Sequence, residues 1–156
     1  MELIELNELT PSQKEEVIEL WNREYPAKIS LTGLTEFDLY LNSLLEPKHL
    51  VLLDAKQAIK GWLTYFFREG GQWFAILLDS SLQGQGWGTR ILDLAKEKTN
   101  ELHGWVIPDD GELKLNGEVY TSPLGFYVKN QFVIHPDIQS IKKDTLSIKI
   151  SWQKHR

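Results

Sequence analysis

The stretch Trp73-Phe74-Ala75-Ile76-Leu77-Leu78-Asp79-Ser80-Ser81-Leu82-Gln83-Gly84-Gln85-Gly86-Trp87-Gly88-Thr89 decides how the rest of the chain is read. Trp73–Leu78 is a strand-length run with a nearly continuous apolar end, the pattern of a central strand covered on both faces. Asp79-Ser80-Ser81 is a polar gap. From Gly86 the period becomes helical: Trp87, Ile91, Leu94, Ala95 and Leu102 share one side, with Arg90, Asp93, Lys96, Glu97 and Glu101 largely opposite. Between strand and helix, glycines at 84, 86 and 88 remove the Cβ atoms that would block a close ligand. The first helical turn adds free N–H groups and the positive end of the dipole. Strand, glycine turn and helix N-terminus together make an anion site suited to a pyrophosphate. The plainer alternative is a tight turn whose glycines only let strand and helix pack closely.

Two nucleotide motifs are excluded at this turn. A Walker turn requires Gly-Lys-Ser/Thr, and here Gly88-Thr89-Arg90 follows without a lysine. The dinucleotide fingerprint requires Gly-x-Gly-x-x-Gly, whereas the spacing is Gly-x-Gly-x-Gly.

Upstream, Leu3–Leu6 reads as a first strand. Thr10-Pro11-Ser12-Gln13 opens a helix, with a Thr cap, Pro at the first helical position and Gln three after the cap. Val17, Leu20, Trp21 and Tyr25 form its apolar stripe, and Pro26 helps to end it. A second helix starts at Thr35-Glu36-Phe37-Asp38; Phe37, Tyr40, Leu41, Leu44 and Leu45 give its period and Pro47 its stop. Leu50–Leu53 and Ile59–Phe67 are strands around the turn Asp54–Gln57, and Glu69-Gly70-Gly71-Gln72 turns the chain into Trp73–Leu78.

Downstream, Gly104–Ile107 reads as a strand closed by Pro108. The polar stretch Asp109–Ser122 centres on Asn116-Gly117 between Leu113-Lys114-Leu115 and Val119-Tyr120, which suits a small hairpin. Pro123–Asn130 reads as a short helix and Phe132–Ile134 as a short strand. Leu146, Ile148, Ile150 and Trp152 alternate with polar residues in a half-buried last strand. Without internal repeats or linker-like segments, residues 1–156 read as one domain. Its class is α+β, an α/β sandwich, because helices and strands interleave without the regular alternation of a doubly wound fold.

Composition narrows the functional classes. With 42% apolar and 25% charged residues the chain has the balance of a soluble globular protein, and no apolar run is long enough to span a bilayer. The N-terminus lacks the pattern of a signal peptide, and with no cysteine there is no disulfide framework or thiolate site. The expected compartment is the cytoplasm, with no membrane partner. A net charge of −5 argues against nucleic acid, since the basic set Lys142, Lys143, Lys149, Lys154 and Arg156 suits a solvated strand edge. Trp21, Trp62, Trp73, Trp87, Trp105 and Trp152 all sit in periodic apolar runs and read as structure.

Gln83–Gly88 resembles the Gln/Arg-x-x-Gly-x-Gly/Ala motif of the GNAT acetyltransferases, and Gly125-Phe126-Tyr127-Val128-Lys129-Asn130-Gln131-Phe132 is similar to their downstream Phe-Tyr-x-Lys-x-Gly-Phe segment. The element order follows that family from Leu3 to Trp152. The resemblance implies a mixed, mostly antiparallel sheet of six to seven strands flanked by helices and splayed between the fourth and fifth. It implies an N-acetyltransferase that passes the acetyl group of acetyl-CoA to a primary amine, by direct attack in a ternary complex and without a metal. Ile76, Leu77 and Leu78 would pair with the pantetheine arm, and the Leu78 backbone would stabilise the developing oxyanion. The amides of Gln83, Gly84, Gln85, Gly86, Trp87, Gly88 and Thr89 would hold the pyrophosphate. Tyr127 matches the general acid, with Phe126 and Asn130 as packing and cofactor contacts.

The sequence departs from the family pattern at Ser80, where a proline is common, and at Gln131, where a glycine is usual. Gln131 implies either a helix end without a left-handed residue or a left-handed glutamine at some cost. The asparagine common after the fifth strand has no counterpart: Pro108-Asp109 stands there, and Asn116 comes well after it. Trp73–Leu78 carries no acid, so the general base is Asp79, His103 or an ordered water relay. The amine, small or on a protein, would enter between the Pro26–Gly33 loop, with Glu24 and Tyr25 before it, and the 109–122 excursion, whose Asp109, Asp110 and Glu112 would attract a cation. The alternative is a non-catalytic acyl-CoA-binding module. A homodimer is compatible with either.

Overall fold

The computed structural model describes residues 1–155. Seven strands form one sheet in the order β1-β2-β3-β4-β5-β7-β6. They are β1 (Glu2–Leu6), β2 (Leu45–Leu53), β3 (Ile59–Arg68), β4 (Gly71–Leu78), β5 (Glu101–Val106), β6 (Val133–Lys142) and β7 (Thr145–Gln153). Only β4 and β5 run parallel; every other neighbouring pair is antiparallel. The mixed α+β sandwich expected from the sequence is the observed class.

The helices divide between the two faces. On one face lie α1 (Pro11–Glu24) and α2 (Leu34–Asn42), whose Val17, Leu20 and Phe37 pack with Val51, Trp62 and Leu77. The other carries α3 (Trp87–Lys98) and α4 (Leu124–Lys129), where Ile91, Leu92 and Tyr127 meet Leu50, Leu63 and Phe74. Thus β4, fourth in the order, contributes to both cores, as its continuous apolar end implied.

Local chemistry sets the element ends. Thr10 and Gln13 exchange the two bonds of a capping box, 3.1 and 2.9 Å, so the start of α1 needs no tertiary help. The β3–β4 turn puts Glu69 and Gly70 at φ 51° and 77°, the handedness of a two-residue hairpin turn. Leu113 and Val119 pair across Asn116-Gly117, forming the small hairpin read from the sequence.

Three boundaries differ from the sequence reading. First, α2 ends at Asn42, so Leu44 and Leu45 are not helical and Leu45 begins β2. The Ser43 hydroxyl donates to Tyr40 O at 2.6 Å, a local bond that competes with helix. Pro47 lies inside β2, within the register irregularity between Leu45 and Lys48, where its missing N–H is tolerated. Second, α3 stops at Lys98 and Leu102 belongs to β5 opposite Trp152. Thr99 takes an extended conformation and its hydroxyl donates to Ala95 O. Third, β6 runs to Lys142, well beyond Ile134. It is an edge strand, mostly exposed, with an irregularity around Pro136, so its sequence carries little apolar alternation.

Candidate active site

Beyond one rung the sheet opens. Trp73 opposite His103 is the single register pair between β4 and β5, whereas β4 pairs with β3 along its whole length. Gly104 on β5 admits the Phe74 ring, since a Cβ there would lie 2.7 Å from Phe74 Cε1. The Asp79 N–H donates to Lys60 O at 2.8 Å, on the β3 side. Alternation along the strand then turns the N–H and C=O of Leu78 and Ile76 to the opposite, splayed edge. Ile76, Leu77 and Leu78 all line a cleft of about 960 Å³ that opens there.

The turn after β4 has two halves. From Asp79 to Gln83 every amide is bonded: Asp79 to Lys60 O, Ser80 to Glu24 Oε2, Ser81 to Asp79 Oδ1, Leu82 to Asp79 O, and Gln83 to Ser80 O. From Gly84 to Thr89 no amide meets an acceptor with full hydrogen-bond geometry among the described residues, the turns at 83–86 being closed only loosely, and the next, Arg90, donates to Gly86 O. Six consecutive donors therefore sit unpaired at the N-terminus of α3. Gly84 and Gly86 hold φ of 78° and 84°, and nothing lies within 4 Å of where their Cβ atoms would be. Gly88 is needed for a different reason: a Cβ there would come 3.0 Å from the Phe126 ring, so the first turn of α3 lies directly against α4. The plain tight-turn alternative accounts for Gly88, but not for the open surroundings of the other two.

The expected phosphate donors are therefore trimmed at one end, because the Gln83 N–H is already engaged. Gly84, Gly86, Trp87, Gly88 and Thr89 line the cleft, as does the Gln83 side of the turn. The Gln85 side chain instead donates to Ser81 O at 3.2 Å and braces the loop. Arg90 stacks over Trp87 at 4.2 Å.

Tyr127 and Phe126 line the cleft from α4. Tyr127 is buried edge-to-face between Phe74, Phe126 and Phe132. Burial pushes its phenol well above the ordinary value, and the Tyr120 phenol adds to this. Asn130 is a correction to the sequence reading: it does not line the cleft. Its amide donates to Phe126 O, its carbonyl accepts from Lys96 Nζ at 2.7 Å, and it closes the helix. Gln131 follows at φ 70°, with Gln131 N–H donating to Val128 O and Phe132 N–H to Tyr127 O. This is the glycine-type helix end, built with a glutamine.

Neither base candidate from the sequence faces the cleft. Asp79 is buried; its carboxylate takes Arg23 at 2.7 Å and accepts from both the Ser81 N–H and hydroxyl. Burial alone would raise its pKa, but the Ser81 bonds and the charges of Arg23 and Lys60 outweigh it and hold the group below the usual carboxylate range. His103 sits at the closed rung of β4, its Nε2 3.0 Å from Glu101 and its Nδ1 buried without a partner. Of the excursion's acids, Asp110 binds the Ser122 N–H and Glu112 pairs with Lys28; neither these nor Asp109 line the cleft.

Two carboxylates line the cleft: Glu36 of α2, which pairs with Lys143 at 2.8 Å, and Glu24, on the last turn of α1, which lies beside the end of β4. Glu24 is buried and is fixed by the N–H of Ser80, two residues past the end of β4. Its other oxygen is 3.5 Å from Lys114 Nζ on the excursion, which Pro26 and Ala27 hold against α1 through backbone pairing with Lys114 and Leu113. The sequence signal was an acid on an apolar stripe, i+4 from Leu20. Tyr25 and Tyr120 line the same region; Tyr25 also has its phenol raised well above its ordinary value by burial. Trp62, Trp73 and Trp152 are core residues, but Trp21, Trp87 and Trp105 are half-buried and face the cleft.

No family model and no curated protein matches the sequence. Solved structures do. An aminoglycoside 6'-N-acetyltransferase complexed with coenzyme A superposes with a TM-score of 0.72 at 14% identity, over 100% of this chain and 99% of that one. A Bacteroides thetaiotaomicron protein assigned to the GNAT family of acetyltransferases gives 0.68 at 16%, over 100% and 89%. The fold is the GNAT fold. A spermidine N-acetyltransferase chimera from Vibrio cholerae shares it at 0.61 and 13% identity, over 97% and 95%. The fold positions agree with the resemblance: the sheet splays between β4 and β5, and the glycine motif Gln83–Gly88 stands between β4 and α3. Among the described residues, no helix is long and apolar enough to cross a membrane.

Proposed function

We propose that this chain, acting as one domain, is an N-acetyltransferase that passes the acetyl group of acetyl-CoA to a primary amine in a ternary complex. The observation that carries the reading is the run of six unpaired amides, Gly84–Thr89, beside a strand edge left open by the splay. Acetyl-CoA, when bound, supplies the acetyl group as a thioester already activated toward amines. The 84–89 amides hold its pyrophosphate, where the α3 dipole also favours negative charge. The outward N–H and C=O groups of Ile76 and Leu78 take up the amide-rich pantetheine in the manner of an added strand. Leu77, Trp87 and Phe126 wall that arm.

Three groups then serve the chemistry. The Leu78 N–H donates to the oxygen on which charge develops during attack. Glu24, neighbouring the end of β4 through Ser80, accepts from the incoming ammonium and takes its proton directly or through water. Tyr127, kept protonated by its burial, donates to the departing thiolate.

The deciding experiment measures calorimetric binding of acetyl-CoA, CoA and ATP side by side, followed by thiol release over a broad panel of primary amines. Both CoA species should bind and ATP should not, and at least one amine should release thiol above background. Tight acetyl-CoA binding without thiol release from any amine would return the chain to a binding module.

A further inference from the structure

The lining of the cleft divides between the two faces of the sheet. Trp87, Phe126 and Tyr127 pack with the core under α3 and α4. On the α1–α2 face the lining is aromatic: Trp21 of α1, Tyr25 at its end, Tyr40 of α2, Phe66 of β3 and Trp105 of β5. The Trp21 ring meets Tyr25 and Tyr40 edge-on, with centroids 5.0 and 5.3 Å away. Tyr40 and Trp105 both pack against the cluster of Leu44, Phe66 and Trp73. Tyr25 ties this wall to the reacting centre: burial is the main cause of its raised phenol, and the neighbouring phenols of Tyr127, Tyr120 and Tyr40 add to it. Trp21, Tyr25, Tyr40 and Trp105 are each only half-buried, so ring surface is left uncovered inside the cleft. Such a wall suits an occupant that is itself apolar and flat.

The charges around this wall oppose a second ammonium. Both carboxylates of the cleft are engaged: Glu24 by the Ser80 N–H at 2.9 Å and Lys114 at 3.5 Å, Glu36 by Lys143 at 2.8 Å and the Thr32 N–H at 2.9 Å. Two cleft cations have no carboxylate within salt-bridge distance among the described residues. They are Arg68, 4.9 Å over the Phe66 ring, and Lys142, opposite Thr145, which also lines the cleft. A site shaped for a polyamine would present unengaged acids along its length. Glu24 serves the single ammonium that reacts.

We infer that the half of the cleft on the α1–α2 face is an aromatic slot, and that the acceptor is a monoamine with an aromatic body, polyamines being turned away by charge. This rests on the acetyltransferase reading for where the amine reacts.

The test uses protein saturated with CoA at low ionic strength and follows binding of phenethylamine, hexylamine and spermidine by calorimetry. Wild type and the remote control Lys154→Gln should bind phenethylamine about fivefold tighter than hexylamine, the gain of ring-on-ring contact over equal apolar bulk. Spermidine should bind about thirtyfold more weakly than phenethylamine. Trp105→Leu and Tyr40→Leu should each cut the preference over hexylamine to about twofold with CoA affinity intact, and either suffices if the other folds poorly. Lys142→Glu, at an exposed position, should raise spermidine affinity about fivefold and leave the ring preference unchanged. Equal affinity for phenethylamine and hexylamine, a preference untouched by both ring variants, spermidine as the tightest ligand, or no binding of any of the three overturns the slot. The same amines with acetyl-CoA separate the two claims. Thiol release without a ring preference sinks the slot and keeps the enzyme, whereas ring-selective binding without thiol release from any amine does the opposite.

Discussion

Residues 79–83 and 84–89 are adjacent and similar in length, the first rich in small polar side chains and the second in glycine, and they treat their backbones in opposite ways. In the first stretch all five amides are satisfied, two of them by side-chain carboxylates, Glu24 from α1 and Asp79 itself. In the second stretch none of six makes a bond of full geometry. Unpaired amides are tolerated only where water or a ligand reaches them, so the second stretch must stay open. The bonded stretch is what keeps it open, because it fixes the end of β4 to α1 and β3 before the glycines begin. A binding surface of this kind is a deficit of hydrogen bonds held rigid by a neighbouring surplus.

Changes in either half test this contrast. The largest effect should come from Tyr127→Phe, which removes the proposed proton donor and leaves both stretches intact. Turnover in the thiol-release assay should fall about 100-fold or more while calorimetric CoA affinity stays within about twofold. Unchanged turnover would mean that the open stretch binds without Tyr127 taking part in chemistry.

Asp79→Asn attacks the bonded half and should destabilise the fold by about 1–3 kcal/mol near neutral pH, read by denaturant unfolding. The sign with pH follows from linkage. Because the folded-state pKa of Asp79 lies below its unfolded value, its contribution is present above the unfolded value and is lost as pH falls through the folded one. The gap between wild type and variant should therefore close in acid. A gap independent of pH would assign the effect to packing rather than charge.

A single open amide can be removed without touching the rest. Trp87 is the first residue of α3, a position where proline is tolerated. Relative to Trp87→Ala, which controls for the lost ring, Trp87→Pro should weaken CoA binding about tenfold, with melting temperatures within a few degrees of each other. Equal affinities would show that this donor does not face the phosphates. The smallest change is expected at a third helix end: Gln131→Gly should stabilise the protein by about 1 kcal/mol, since its φ of 70° strains any side chain. No gain in unfolding free energy would mean that the strain is offset by the greater freedom of glycine when unfolded.

Much of this was legible in one dimension because it depends on local rules. The capping box of α1, the Asn116-Gly117 hairpin and the helical period after Gly86 each follow from residues within a few positions of one another. The misread boundaries were those where local pattern and partner disagreed. Leu102 continues the α3 period but is claimed by β7, and β6 persists through exposed residues because β7 supplies its bonds. The same limit hid Glu24. Its role as a cleft carboxylate needs Ser80, 56 positions away, and Lys114, 90 positions away.

By itself, then, the sequence determined the order and kind of the elements and the glycine turn that leaves donors free, because backbone conformation and amphipathic period are local properties. Tertiary structure decided which amides are spent and which remain, and which carboxylates reach the cleft. Those are questions of what lies opposite in space, and the long-range pairing of β3, β4, β5 and β7 settles them.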